Sequence, residues 1–375
     1  MRIGIDGRLI VDELSGIPTY IVELLTHLVQ EDRQNEYVVF FSNQNLEKRF
    51  SEQTGINSQD NFSTATINYK AFSIKNQLFM GHLIKKHNLD IFHSPDFMIP
   101  FLPFPKNKRG STACLINIHD LIPMTVRDYA PRSKKTRFYP VYKGLLREAV
   151  ARTDKILTHS LSAKNDIIQL LNVEPDKIAL IPHGVNKRFT PIKREDKTTK
   201  RIFWVGRRDP YKNLMSLIEA FDILLKKTDC SVELRLAGPA DDRYPEYEIR
   251  AHELGIADKI ITLGYLTNEQ LVDEYRNADV FVFPTLYEGF GLVILESMAC
   301  GTPVVCGDIA SVPEVAGDAA SIVDVKDPEQ IAHAVHEILT NKELASELSN
   351  KGLAVSQKFT WAHAAKETVK LYEQL

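Results

Sequence analysis

Short apolar runs alternate with stretches of helical period along this chain. In the first half, Ile3-Gly-Ile-Asp6 reads as a strand, and residues 19–29 repeat apolar side chains every three or four positions, as an amphipathic helix does. Tyr37-Val-Val-Phe-Phe41 predicts a buried strand. Ile67-Asn-Tyr69, Ile91-Phe-His93, Leu115-Ile-Asn-Ile118, Ile156-Leu-Thr-His159 and Ile178-Ala-Leu-Ile181 predict further strands. Helical periods over 77–87, 136–151 and 162–171 fall between them. Strands that alternate with helices predict a parallel, doubly wound sheet, because each parallel pair needs a crossover connection.

The stretch 182–200 is polar, contains Pro191 and reads as a linker. Beyond it the alternation restarts with Arg201-Ile-Phe-Trp-Val205, a helix over 213–227, and strands at Val232–Leu236 and Ile260–Leu263. A helix over 268–277 and strands at Val280–Phe283, Val304–Cys306 and Ala320–Val323 follow. A chain of 375 residues also exceeds what one hydrophobic core usually serves. The expectation is an α/β protein of two Rossmann-like doubly wound domains, 1–190 and 191–359, with a cleft between them. Ligands are expected beyond the carboxyl ends of the strands.

Composition narrows the class. With 44% hydrophobic and 25% charged residues the chain resembles an ordinary globular protein. No run approaches the ~20 apolar residues of a spanning helix, and the N-terminus lacks the apolar core of a signal peptide. Cys114, Cys230, Cys300 and Cys306 form no Cys-x-x-Cys pair and read as thiols in a reducing cytosol. The net charge of −3 hides an asymmetry: residues 1–190 carry 25 Lys and Arg against 19 Asp and Glu, and the remainder carries 21 against 30. The positive excess lies at Lys106, Lys108 and Arg109 and along Arg127, Arg132, Lys134, Lys135, Arg137, Lys143 and Arg147. Such a patch suits an anionic membrane surface or a phosphate-bearing acceptor, and equally a solvated helix face. Nucleic acid is not expected, because no recognition module accompanies these residues.

The richest stretch for chemistry is Pro284-Thr-Leu-Tyr-Glu288-Gly289-Phe290-Gly291-Leu292-Val293-Ile-Leu-Glu296, followed by Ala299-Cys-Gly301-Thr-Pro-Val304. A strand runs into a loop with a carboxylate and two glycines, and a helix pattern then begins. Glycines let backbone N–H groups approach a ligand, and a helix start favours electron-rich groups. Two acids about two turns apart address two ends of one extended ligand. The stretch resembles the signature of the retaining nucleotide-sugar glycosyltransferases, glycosyltransferase family 4, in which two Glu residues enclose a Gly-Phe-Gly turn. The resemblance extends over nearly the whole chain and implies the GT-B architecture of two facing domains, with the last helix, 360–375, crossing back to the first. It places Glu288 at the donor sugar and Glu296 on the ribose, with residues 289–293 lining the donor.

The same resemblance assigns the other positions. In Gly206-Arg207-Arg208-Asp-Pro-Tyr-Lys212-Asn213, cations beside a helix start suit a pyrophosphate. Arg207 and Lys212 map onto the family's diphosphate-binding pair; Arg208 is an alternative expected to face solvent. Gly16, in Ser15-Gly16-Ile-Pro, resembles the first glycine loop and would bring backbone amides to the diphosphate. In Asn117-Ile-His119-Asp120, His119 matches the histidine that reaches the donor sugar, and Asp120 either orients that ring or meets the acceptor. Thr158-His-Ser160-Leu-Ser162 and Ile181-Pro-His183-Gly184 match landmarks read as mainly structural, with His183 where the family usually has Asn. Gly238, Tyr265 and Leu266 fall where the nucleobase would lie.

Asp-x-Asp, His-Glu-x-x-His, Gly-x-Ser-x-Gly and Walker-type motifs are absent from the sequence, so neither a metal nor another cofactor is expected. The resemblance implies a cytoplasmic enzyme that moves a sugar from a nucleoside diphosphate to a hydroxyl of a glycan or lipid-linked acceptor. His119-Asp120-Leu-Ile-Pro123 resembles bacterial mannosyltransferases of surface-polysaccharide assembly and points to GDP-mannose. UDP-glucose, UDP-N-acetylglucosamine and dTDP-rhamnose are the alternative donors; an epimerase, a phosphorylase or a binding module are the alternative classes.

Overall fold

A computed structural model of the chain describes residues 1–12, 16–126, 129–193 and 198–375. The chain divides into two compact units. The first comprises Met1–Leu121, Phe138–Gly184 and Thr360–Leu375, and the second Ile122–Arg137 and Val185–Phe359.

The first unit is built on a seven-stranded sheet: β1 (Arg2–Asp6), β2 (Glu36–Phe41), β3 (Phe62–Thr66), β4 (Ile91–Ser94), β5 (Ala113–Asn117), β6 (Lys155–Thr158) and β7 (Ile178–Leu180). Its order is β3-β2-β1-β4-β5-β6-β7, with every pair parallel. The helix Ile17–Glu31 buries Tyr20, Ile21, Leu24, Leu25 and Leu28. Their near-four-residue spacing is the apolar face legible in the sequence. The helix Trp361–Glu373 begins at Thr360, whose hydroxyl accepts from the His363 amide, and buries Trp361, Ala364, Ala365, Leu371 and Tyr372 in the same core. Gly184 runs so close to the backbone of Thr360 and Trp361 that a Cβ would overlap it. That close approach is why the turn after β7 carries glycine.

The second unit has a six-stranded sheet: β8 (Thr199–Val205), β9 (Ser231–Ala237), β10 (Ile260–Gly264), β11 (Val280–Phe283), β12 (Val304–Gly307) and β13 (Ser321–Val323). Its order is β10-β9-β8-β11-β12-β13, again all parallel. Successive side chains alternate between faces. Ile202, Trp204, Val280 and Val282 therefore join one core layer, and Phe203, Phe281 and Phe283 the other. Burial on both faces explains why these strands read as continuous apolar runs.

Several elements differ from the sequence expectation. The third strand is Phe62–Thr66, not 67–69. It lies at the sheet edge with most of its residues only half-buried, so its polar Ser and Thr are tolerated and hide it from an apolar scan. The helix expected over 136–151 is two, Lys134–Arg137 and Tyr139–Arg152, with Pro140 in the first turn of the second, where its missing N–H costs nothing. The helix Gln44–Thr54, unforeseen, buries only Leu46, Phe50, Ser51 and Thr54 and is defined by its ends: Asn43 caps it and Gly55 closes it at φ 79°. Among the described residues no helix is long and apolar enough to cross a membrane.

The residues of the expected basic patch divide between the two units. Arg132 belongs to the second unit, where its guanidinium pairs with Glu246 at 2.8 Å and covers the Tyr244 ring. Lys106 pairs with Glu148 at 2.9 Å in the first unit. Arg127 and the side chains of Lys134 and Lys135 lie outside the described residues, as does Ser15 of the first glycine loop.

Candidate functional site

In the second sheet the strand order reverses between β8 and β11. Connections leave such a point toward opposite faces and open a crevice at the strand ends, where α/β proteins bind ligands. Lys212 and Glu288 come from the two loops that leave this point. A backbone bond of 2.7 Å from Leu286 N–H to Tyr211 C=O joins the loops, and the Thr285 hydroxyl also donates to Tyr211 C=O at 3.3 Å. Asn213, at φ 55°, ends the first loop and ties its amide to Val325 C=O at 2.7 Å. The Lys212 ammonium then donates to Glu288 Oε2 at 2.6 Å and lies 5.0 Å from the ring centres of both Tyr211 and Phe283. Both partners are mostly buried, with 11% and 19% of their side chains exposed.

Gly291 sits at φ 94° just before the helix Leu292–Ala299. A side chain would be strained there, so the turn that brings Glu288 to the helix start depends on glycine. Ser311 Oγ donates to the Glu288 carbonyl at 2.9 Å and fixes the loop from the far side. Gly289 is buried, and Phe290 turns its ring into the core against Phe359, with centroids 5.9 Å apart. Of the expected donor-lining residues, Phe290 thus has a packing role for its ring, while Leu292 and Val293 stay half-buried on the helix. Glu296 lies on the same helix, and the Tyr275 hydroxyl donates to its Oε2 at 3.0 Å. Burial, with the Glu296 charge second, pushes the Tyr275 phenol well above its ordinary range, so it stays a donor.

Of the two adjacent arginines, it is Arg207 that is exposed and Arg208 that is buried. Arg207 is 65% exposed along its side chain and pairs with Asp209 at 2.9 Å. Arg208, expected in solvent, is 3% exposed. Its guanidinium lies 4.8 Å from the Trp204 ring and 5.2 Å from that of Tyr247. A planar, weakly hydrated cation can be held this way by aromatic faces. Gly238 N–H donates to Gly264 C=O at 2.8 Å; beyond that strand end Tyr265 is exposed and Leu266 half-buried.

In the first sheet the order reverses between β1 and β4. Gly16, at φ 54°, opens the helix after β1. The loops after β4, β5, β6 and β7 bring together Pro95, His119, His159 and His183. His119 Nε2–H donates to Pro95 C=O at 2.9 Å, and its ring stacks on His159 with centroids 4.7 Å apart. The His159 and His183 centroids are 3.9 Å apart, and His183 stacks on Trp361 at 5.4 Å. Tyr20 lies beside all three histidines at 4.9 to 5.2 Å. Behind them, a buried relay fixes tautomers. The Tyr372 hydroxyl donates to His93 Nδ1 at 2.7 Å, and His93 Nε2–H donates to Asn117 Oδ1 at 2.7 Å. Asn117 Nδ2 then donates to His159 Nε2 at 3.3 Å, and His159 Nδ1–H donates to Ile181 C=O at 2.9 Å. Burial pulls all four imidazoles below their ordinary range, His93 to about 4. Asp120 is half-buried beside His119.

Sequence reasoning missed Tyr275, Ser311, Tyr20 and Trp361, and read His159 and His183 as landmarks only. Tyr20 and Tyr275 look like core residues of amphipathic helices, which they also are; only the fold reveals what their hydroxyls and rings face.

A doubly wound sheet with a lysine–glutamate pair at its switch point is suited to an anionic, polyhydroxylated ligand. Comparison with known proteins supplies the family. Residues 186–355 match the family described as Glycosyl transferases group 1, and residues 14–189 match Glycosyltransferase Family 4. The chain is 30% identical over 298 residues to O-antigen chain mannosyltransferase B of Escherichia coli, covering 76% of this chain and 74% of that one. It is 29% identical over 282 residues to the serotype-specific mannosyltransferase WbdA of Escherichia coli, covering 72% of this chain but only 34% of WbdA. The crystal structure of Anabaena HepE in complex with UDP and glucose shares the fold over 100% of both chains, with a TM-score of 0.76 and 15% identity. The chain belongs to the group 1 glycosyltransferases, family 4, and each of its units has the Rossmann-like parallel sheet of the GT-B class.

Proposed function

We propose that this glycosyltransferase moves mannose from GDP-mannose to a hydroxyl of a glycan or lipid-linked acceptor, with retention at the anomeric carbon and without a metal. The observation that carries the reading is the Lys212–Glu288 pair at the β8/β11 switch point, with Glu296 on the helix that follows. Relatives named as mannosyltransferases support the choice of sugar.

In this reading the donor separates the pair. Lys212 and Arg207 turn to the diphosphate and neutralise the charge that grows as the bond from the anomeric carbon to phosphate oxygen breaks. Glu288 faces the sugar hydroxyls and stabilises the oxocarbenium character of the anomeric carbon. The acceptor oxygen bonds to that carbon from the face the phosphate leaves, and the departing phosphate takes the acceptor proton. Glu296, oriented by Tyr275, holds the ribose. His119, with Nε2–H committed to Pro95 C=O, offers Nδ1 to a sugar hydroxyl.

Calorimetric titration with GDP, UDP, dTDP and ADP tests the donor. Selective GDP binding is expected; selective UDP or dTDP binding overturns the mannose assignment. Transfer that survives a chelator supports metal independence, and the anomeric configuration of the product, read by NMR, tests retention. We also propose peripheral contact with an anionic membrane through the first unit. There Lys108, Arg109 and Arg147 are exposed, and Ile74 and Leu102 are 79% and 74% exposed. Equal recovery of the protein with neutral and anionic vesicles would refute this contact.

A further inference from the structure

We propose that His119, His159 and His183 form a binding site for a divalent transition-metal ion, zinc above all, and that its occupation switches the transferase off. The binding stands on geometry alone; the switching rests on the glycosyltransferase reading, since it needs His119 in the transfer site.

The three imidazoles come from three successive strand ends of one sheet, and one ring nitrogen from each lies within 4.8 Å of those from the other two. Zinc–imidazole bonds of ~2.0–2.1 Å in tetrahedral geometry set ligand nitrogens roughly 3.4 Å apart. Closure by up to roughly 1.4 Å, with rotation of the stacked His119 and His159 rings, brings the cluster to ligand spacing. A bound ion orients its histidines by having the opposite ring nitrogen donate to a carbonyl or carboxylate. His119 and His159 have that support. His119 Nε2–H donates to Pro95 C=O, which leaves Nδ1 with a lone pair, and His159 Nδ1–H donates to Ile181 C=O, which leaves Nε2 with one. His159 Nε2 now accepts from Asn117 at 3.3 Å, the longest bond of the buried relay and the one given up to a metal.

The donor set selects the ion. Three imidazoles suit zinc, cobalt, nickel and copper, whereas magnesium and calcium require oxygen ligands. The Asp96 carboxylate acts electrostatically on His119 and offsets part of the added charge. Three protein ligands leave a fourth position open to water. Because His119 supplies one ligand, an ion held there removes its Nδ1 from the sugar.

The test uses the full chain and the metals alone. Calorimetry with zinc chloride is expected to show one site, magnesium chloride none, and cobalt chloride the visible bands of tetrahedral coordination. His183→Asn, which keeps a polar side chain, should melt near wild type and lower zinc affinity by at least about tenfold. His159→Gln should do the same and guards against a special effect at one position. Absence of zinc binding, or affinity unchanged in a folded His183→Asn, overturns the site. In transfer assays zinc should inhibit the wild type reversibly and spare His183→Asn. Zinc that binds without inhibiting overturns the switch and leaves the site. A chain with no transferase activity still gives the cobalt spectrum, so failure of the functional reading and failure of the site are told apart.

Discussion

The ammonium of Lys212 and the carboxylate of Glu288, 76 residues apart in sequence, meet at 2.6 Å over the switch point of the second sheet. Neither loop alone makes a site. The pair exists because β8 and β11 are neighbours and their following loops are tied at Tyr211 and Leu286. Each charge keeps the other soluble in a mostly buried place, so the cost of holding either one there is met before a ligand arrives. Lys212→Ala should lower kcat/KM by roughly two to three orders of magnitude, and Glu288→Ala should lower kcat comparably. The double variant should lose less than the sum, because the residues share one interaction. Steady-state kinetics beside thermal melts would decide; full activity in either folded single variant removes the pair from the site.

Tyr275 is a positioning residue for Glu296. Its ring is fully buried and its hydroxyl is 3.0 Å from Glu296 Oε2. Tyr275→Phe removes one hydrogen bond to a charged group, worth roughly 1.5–3 kcal/mol. Nucleoside diphosphate binding should weaken by about tenfold or more, with kcat changed much less. Calorimetry with the nucleotide reads this directly, and an unchanged dissociation constant would refute the role.

Arg208 bears a buried charge held by ring faces, and burial pulls its guanidinium below the ordinary range. Taking a charge out of water costs several kcal/mol, a cost that an apolar side chain of similar volume does not carry. Arg208→Met should therefore leave the melting temperature unchanged or raise it. A drop of several degrees would mean that the Trp204 and Tyr247 rings stabilise the cation more than its desolvation costs.

The buried relay makes stability depend on pH with a definite sign. His93 is held neutral, its imidazole drawn down to about 4 chiefly by burial. An unfolded imidazole titrates near 6.5, so between those values the unfolded chain binds a proton that the folded chain does not. Stability is full above the unfolded value and falls as pH drops through the window, by up to about 3 kcal/mol from this group. His119, His159 and His183 shift in the same direction and steepen the fall. Denaturant melts between pH 7 and pH 4 should show it, and His93→Asn should flatten the slope. A slope of equal steepness in the variant would assign the effect elsewhere.

Much of this molecule is local. The strands β1, β2, β4, β8 and β11 carry apolar runs that announce themselves, because a strand buried on both faces has little choice of residue. The glycine-bounded turn around Glu288 and the lysine before Asn213 are equally legible, since backbone geometry and charge at a helix start are properties of a few adjacent residues. Edge strand β3 and the helix Gln44–Thr54 were not, because exposure relaxes the pattern.

The alternating α/β architecture and the chemistry available in each loop are written in local residue patterns. The pairings come from the folded arrangement: Lys212 with Glu288, Tyr275 with Glu296, His119 with His159 and His183. That arrangement also decided which of two adjacent arginines is buried. The physical reason is that strand order brings distant loops together, and whether a side chain meets solvent, a ring or an opposite charge depends on neighbours that no local window contains.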